Sequence, residues 1–175
     1  MQSDTAAPVD PILLGPDEGD ARWWGDSLAI IRASADTTAG RITVIDNYAS
    51  SGAAPPLHIH HNEGEGFYLI AGTMTIWVGG KKIDASPGSY VYGPPGVPHT
   101  FVVTSPIARY LFITEPAGFD RFVRRVSTLA ERLVLPPPSA QRAEDPELMA
   151  RVAAEYGIEI LGPPGIPSEA VYPGT

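Results

Sequence analysis

From Ser27 onward the hydrophobic positions come in short runs rich in β-branched and aromatic residues, each closed by turn-forming residues. The runs are Ser27–Arg32, Arg41–Tyr48, Gly66–Ala71, Thr73–Val78, Ser89–Tyr92, Thr100–Thr104 and Arg109–Thr114. Their even spacing predicts an all-β sandwich or barrel. Gly79-Gly80, between Thr73–Val78 and Lys81–Ala85, is a two-residue hairpin signal. After Pro116 the period changes. Phe119, Phe122, Val123, Val126 and Leu129 recur at helical spacing, with Arg121, Arg124, Arg125 and Glu131 between them. This predicts an amphipathic helix from Ala117 to about Leu133, packed on the outside of the β body and broken by Pro136-Pro137-Pro138. A second helix is punctuated by Asp145 as N-cap, Pro146 at its first position and Gly157 as its stop. Ile158–Leu161 is a candidate for one more short strand. Residues 1 to about 20 show neither period and read as an arm, disordered or laid along the body. The resulting division is an arm over 1–24, a β-barrel over 25–116, and helices with a tail over 117–175.

Composition sharpens this picture. Gly (18) and Pro (19) make up about a fifth of the 175 residues, a density that suits many short elements and disfavours a helical bundle. No stretch approaches the roughly 20 apolar residues of a membrane span. The start, Met1-Gln2-Ser3-Asp4, has neither the cationic nor the apolar region of a secretory signal. A net charge of −8 with no basic run beyond Lys81-Lys82 and Arg124-Arg125 argues against nucleic acid as a partner. Cysteine is absent, which removes disulfides, thiolate metal sites and a Cys nucleophile. A cytoplasmic protein is the expectation. The scarcity of Lys and the abundance of Ala, Gly and Pro suggest a high-GC bacterial source.

The candidate chemistry is concentrated. All four histidines lie between positions 58 and 99: His58-Ile59-His60-His61, followed by Asn62-Glu63-Gly64-Glu65, and then His99 after Pro94-Pro95-Gly96-Val97-Pro98. Side chains alternate faces along a strand, so His58 and His60 point one way while Leu57 and Ile59 point the other. Two imidazoles on one face, a carboxylate after a short turn and a third imidazole from a neighbouring strand can converge on one ion. Neutral imidazole and carboxylate suit iron, nickel, cobalt, manganese, copper or zinc alike. The competing reading makes these residues ordinary polar groups at a strand edge and in a loop.

Gly52, His58, His60, Glu65 and Gly72 stand at the spacings of the first cupin motif, which this segment resembles. Gly88, Pro94-Pro95-Gly96 and His99 resemble the second, with Val103 where an Asn is common. Pro55–Gly72, Pro116-Ala117-Gly118-Phe119 and the closing Tyr156–Pro164 are similar to single-domain bacterial cupins of the quercetin-2,3-dioxygenase-like kind. The resemblance implies a small cupin β-barrel of the jelly-roll type with one or two C-terminal helices packed outside. It also implies one divalent transition metal per chain on His58, His60, Glu65 and His99. Glu63 competes with Glu65 on chemistry, but its spacing from His60 is too short for the motif, and it is assigned to a turn or to a place behind the ligands. His61 should point away from the ion.

Alternation from Glu65 puts Phe67 and Leu69 on its face, and alternation from His99 adds Phe101 and Val103. These four are candidate walls of an apolar substrate pocket, although small barrels fill their interiors with such residues in any case. Trp23-Trp24 can form a lid or plug one barrel end. The activity implied by resemblance is a metal-dependent dioxygenase acting on a flavonol-like or other phenolic or enolic small molecule. Its substrate would be held through an oxygen, Glu65 would accept its proton and dioxygen would be the co-substrate. The alternatives are a metal-dependent isomerase, cyclase or lyase that does not use dioxygen, and a small-ligand-binding cupin. Family members are often dimers, so a homodimer is a further expectation.

Overall fold

The computed structural model describes residues 10–140 and 145–168. Positions 1–9 of the expected arm and 169–175 of the expected tail lie outside the described residues. In chain order the elements are β1 (Asp20–Trp24), β2 (Ser27–Ala33), β3 (Thr43–Ser50), β4 (Pro56–His60), β5 (Gly64–Ala71), β6 (Met74–Val78), β7 (Lys81–Ala85), β8 (Tyr90–Gly93), β9 (His99–Val103), β10 (Ile107–Glu115), α1 (Phe119–Val126), β11 (Thr128–Leu129), α2 (Pro146–Glu155) and β12 (Ile158–Pro164). Among the described residues, no helix is long and apolar enough to cross a membrane.

The strands form two antiparallel sheets, ordered β11-β1-β2-β3-β10-β5-β8 and β12-β4-β9-β6-β7. The period-2 patterning sets which face each residue takes. In β10, Ala108, Tyr110, Phe112 and Thr114 are buried while Ile107 and Glu115 are exposed. Inward residues of the first sheet, including Ile45, Phe67 and Tyr110, form one core with Met74, Ile76, Phe101 and Val103 of the second. Phe101 packs edge-on 5.8 Å from Phe67 and 5.5 Å from Tyr110. This is a jelly-roll barrel. The hairpin at Gly79-Gly80 is present, with φ of 52° and 87° and Val78 paired to Lys81. Both positions lie in the left-handed region that a type I′ turn requires and that glycine adopts without strain.

The first helix corrects an expectation. The helical spacing of apolar residues runs to Leu129, but α1 ends at Val126 and Ser127 is extended. Thr128 and Leu129 instead pair with Trp23 and Arg22, and the Ala130 N–H donates to the Ala21 carbonyl at 3.0 Å. The open edge of β1 offers hydrogen bonds to chain that a free helix end would leave to water. β1 itself falls within the stretch read as an arm, yet it pairs along its length with β2. β12 extends through Pro164, past the expected Leu161. Its prolines are accommodated because it is an edge strand with register shifts after Ile160.

α2 follows its punctuation: the Asp145 side chain accepts from the backbone N–H groups of Glu147 and Leu148, and Pro146 opens the helix. α1 is held differently. Gly118 gives it no capping side chain, and the fully buried Asp120 of its first turn accepts from Ala35 N at 3.1 Å, Thr43 Oγ1 at 3.0 Å and Arg124 at 2.6 Å. That carboxylate ties the helix to β3 and turns Phe119, Phe122 and Val123 into the protein.

Candidate metal centre and its pocket

His58 and His60 project inward from β4, His99 from the start of β9 and Glu65 from β5. The pairing of His58 with His99 across the β4–β9 ladder fixes the first contact, and their ring centroids lie 4.4 Å apart. The His60 ring sits 5.0 Å from His58 and 5.4 Å from His99. Glu65 Oε2 is 2.9 Å from His99 Nε2 and 3.8 Å from His60 Nε2. One ligand atom from each of the four falls within 4.8 Å of all the others, so the cluster can hold one metal ion.

The surroundings of each ring prepare it for that role. His58 Nδ1 donates to the Pro56 carbonyl at 2.7 Å, His99 Nδ1 to the Val97 carbonyl at 2.9 Å and His60 Nδ1 to Glu63 Oε1 at 2.9 Å. A proton held on Nδ1 leaves Nε2 of a neutral ring with a free lone pair, the state that binds a metal. His60 Nε2 is buried and has no hydrogen-bond partner, a condition that a bound cation would relieve. Three imidazoles and one carboxylate are also a donor set that first-row transition ions accept. The residues present therefore fit the ion.

Electrostatics point the same way. Burial pulls His58 down to about 3, helped by the neighbouring imidazoles, so it is neutral. Burial pushes the Glu65 carboxyl up, but the hydrogen bond from His99 and the charges of the three rings outweigh it and hold Glu65 below the usual carboxylate range. Burial also pulls His99 down, while the hydrogen bond and charge of Glu65 override it and raise its affinity for a proton. His99 Nε2 lies at hydrogen-bond distance from Glu65 Oε2, and metal ligation through that nitrogen requires it to be free of a proton.

A cavity of about 290 Å³ opens above the cluster. His58, His60 and Glu65 line it, and so do Phe101, Phe112, Phe119 and Phe122. Phe119 stands edge-on 5.2 Å from His60. Of the residues expected as walls, Phe101 is one. Phe67, Leu69 and Val103 face inward and belong to the buried core without lining the cavity. Facing the barrel interior was necessary for a wall residue and not sufficient. Trp24 lines the cavity, 6.0 Å from Phe119 and 5.9 Å from Phe122, whereas Trp23 packs on the other face of β1 with Leu28 and Ile30. The walls from α1, α2 and β12 were beyond reach of strand alternation. Asn47, Tyr110 and Phe112 were not, since they share the inward faces of β3 and β10. His61 points outward, half exposed, with Nε2 2.8 Å from Glu159 Oε2.

A family model described as the cupin domain matches residues 47–114, the segment that contains all four members of the cluster. Quercetin 2,3-dioxygenase of Bacillus subtilis (strain 168) is 29% identical over 133 residues, 75% of this chain and 40% of that protein. The chain therefore spans 40% of the length of this curated relative. Among solved structures, an RmlC-like cupin from Shewanella frigidimarina aligns with a TM-score of 0.54 at 17% identity, covering 64% of this chain and 96% of that one. KdgF from Halomonas sp. aligns with a TM-score of 0.50 at 20% identity, covering 55% and 84%. At these identities the two structures speak for the fold alone.

Proposed function

This chain belongs to the cupin superfamily, and from that premise we propose that it is a mononuclear metal-dependent dioxygenase of the quercetinase-like type. Its substrate on this reading is a flavonol-like or other phenolic or enolic molecule, with dioxygen as co-substrate. The observation that carries the reading is the cluster of His58, His60, Glu65 and His99, three of which, the first two histidines and Glu65, line a cavity walled by aromatic rings. The similarity to Bacillus quercetin 2,3-dioxygenase supports the choice among cupin chemistries.

The residues divide the work. Phe101, Phe112, Phe119 and Phe122 give a flat aromatic substrate faces and edges to pack against, and their burial keeps water from competing for the polar end. Pro56, Glu63 and Val97 keep the three rings in the tautomer that leaves Nε2 free. Glu65 stays ionised and accepts the proton of the substrate hydroxyl. A carboxylate of depressed pKa is a weak base towards a free phenol; a bound divalent ion supplies the Lewis acidity that brings the hydroxyl within its reach.

The test is oxygen consumption by metal-loaded protein across a panel of flavonols, simple phenols and enols, with isotopically labelled dioxygen. Substrate-dependent uptake with label in the product is expected. Turnover that continues unchanged under strict anaerobiosis would replace this reading with isomerase, cyclase or lyase chemistry. Binding without turnover in either atmosphere would make the protein a ligand-binding cupin.

A further inference from the structure

Asn47 and Tyr110 form a polar pair in a wall that is otherwise aromatic and aliphatic. They are direct partners on the β3–β10 ladder, both on the inward face, and each is only 1% exposed. Asn47 Nδ2 donates to Tyr110 Oη at 2.7 Å, and Asn47 Oδ1 is buried without any hydrogen-bond partner. Both residues line the same cavity as the His/Glu cluster. A buried amide oxygen left unpaired costs about 1–3 kcal/mol, so a fold that keeps one there gains by having something fill the gap.

What fills it is constrained by donor and acceptor counting. With Nδ2 donating to Tyr110, the pair keeps the tyrosine proton to give and the Asn47 oxygen to receive. With the amide turned over, Tyr110 donates to Oδ1, and the pair keeps an amide proton to give and a phenolic lone pair to receive. Either orientation offers one donor and one acceptor side by side, the complement of a hydroxyl group. Burial and the nearby charge of Glu65 raise the tyrosine hydroxyl well above its ordinary range, so its proton stays on.

We infer that Asn47 and Tyr110 form a second polar subsite of the cavity, one that binds a hydroxyl group on the substrate remote from the His/Glu cluster. Along β10, Phe112 and then Thr114 are the next inward positions, and Thr114 is the residue paired with Glu65. Successive inward positions stand roughly 6–7 Å apart along a strand. A ligand that reaches both ends therefore carries this hydroxyl at least one aromatic ring away from its atoms at the cluster. Asn47 and Tyr110 are positioning residues that select a hydroxylated ring over an unsubstituted or capped one. The assignment of that hydroxyl to an aromatic substrate rests on the proposed function; the subsite itself does not.

The experiment compares two ligands that share one metal-chelating end, 3,4′-dihydroxyflavone and 3-hydroxy-4′-methoxyflavone, the second being the methyl ether of the first one's remote 4′-phenol, which can accept a hydrogen bond but cannot donate one. Dissociation constants are measured anaerobically on metal-loaded protein, so oxygen chemistry plays no part in the readout. Wild type is expected to favour the phenol, and the double variant Asn47→Leu/Tyr110→Phe to lose roughly three- to tenfold of that preference, the size of one net hydrogen bond. Replacing both partners of a buried hydrogen bond by apolar groups of similar shape is close to neutral for folding. Should the double variant nevertheless fail to fold, the single variants Asn47→Leu and Tyr110→Phe carry the test, and at least one must lower the ratio. Equal affinities in wild type overturn the inference, as does a preference that survives in every variant that folds, since the hydroxyl would then be bound elsewhere. Failure of the oxygenase reading would show in oxygen consumption and leave the ratio untouched.

Discussion

Glu63→Leu should weaken metal binding although Glu63 is not among the four residues of the cluster. Its Oε1 accepts from His60 Nδ1 at 2.9 Å, and both side chains are at most 6% exposed. Hydrogen bonds to charged groups contribute about 1.5–3 kcal/mol, and here the bond also selects the ring tautomer. Without the carboxylate, the tautomer with its proton on Nε2 becomes competitive, and that proton would sit where the ion must go. Loss of such an outer partner typically weakens metal affinity about 10- to 100-fold, equivalent to about 1.4–2.7 kcal/mol. Competition between metal-stripped protein and a chromophoric chelator for zinc, at one fixed pH, reads this directly. Glu63→Leu should fall in that range. Glu63→Gln should lose less than about tenfold, because its amide oxygen can still accept from Nδ1. His61→Ala is the matched control: the ring is exposed and turned towards Glu159, so affinity should not change. Zinc affinity in Glu63→Leu within about twofold of wild type would refute the reasoning, because that range begins at tenfold. His60 would then be oriented by packing, against Phe119 above all.

Glu65→Gln should retain a substantial share of the metal, since its oxygen can still coordinate, yet lose at least about 100-fold in oxygen consumption as the general base disappears. Near-normal turnover would remove Glu65 from that role. Asp120→Ala strands the Ala35 N–H and the Thr43 hydroxyl in the interior and should lower stability by about 2–5 kcal/mol in denaturant unfolding; Arg124 keeps Asp20 as partner, which limits the loss. Burial pushes the Asp46 carboxyl up, but hydrogen bonds from Arg109 and Arg32 prevail and hold it below the ordinary carboxylate range. Its contribution is therefore present above the unfolded carboxylate pKa and lost as pH falls through the lower folded value. Wild type should melt higher than Asp46→Asn at pH 7, with the gap closing on acidification below about pH 4; a gap independent of pH would contradict this.

The clustering of His58, His60, Glu65 and His99 was legible in the sequence because a strand's alternation is local. Once His58 and His60 share a face, only the pairing of β4 with β9 is needed to bring His99 to them, and the gapped motifs encode that pairing. The barrel was legible for the same reason: period-2 runs bounded by Gly and Pro have few other solutions. Composition alone removed thiolate chemistry, since the sequence has no cysteine.

Tertiary structure decided the rest. Nothing local distinguishes Phe67, which fills the core, from Phe101, which lines the cavity; that depends on which neighbours from the opposite sheet close over each ring. The end of α1 was set by the free edge of β1, some hundred positions earlier in the chain. The pocket joins walls from the barrel strands to others from β1, α1, α2 and β12, elements from the two ends of the chain that no sequence window spans. The partners that prime each imidazole also depend on geometry: a spacing can nominate Glu63, but only the turn from His60 back to Glu63 places its oxygen on Nδ1. Residue types and their period fixed which atoms were available, and long-range packing fixed which of those atoms meet.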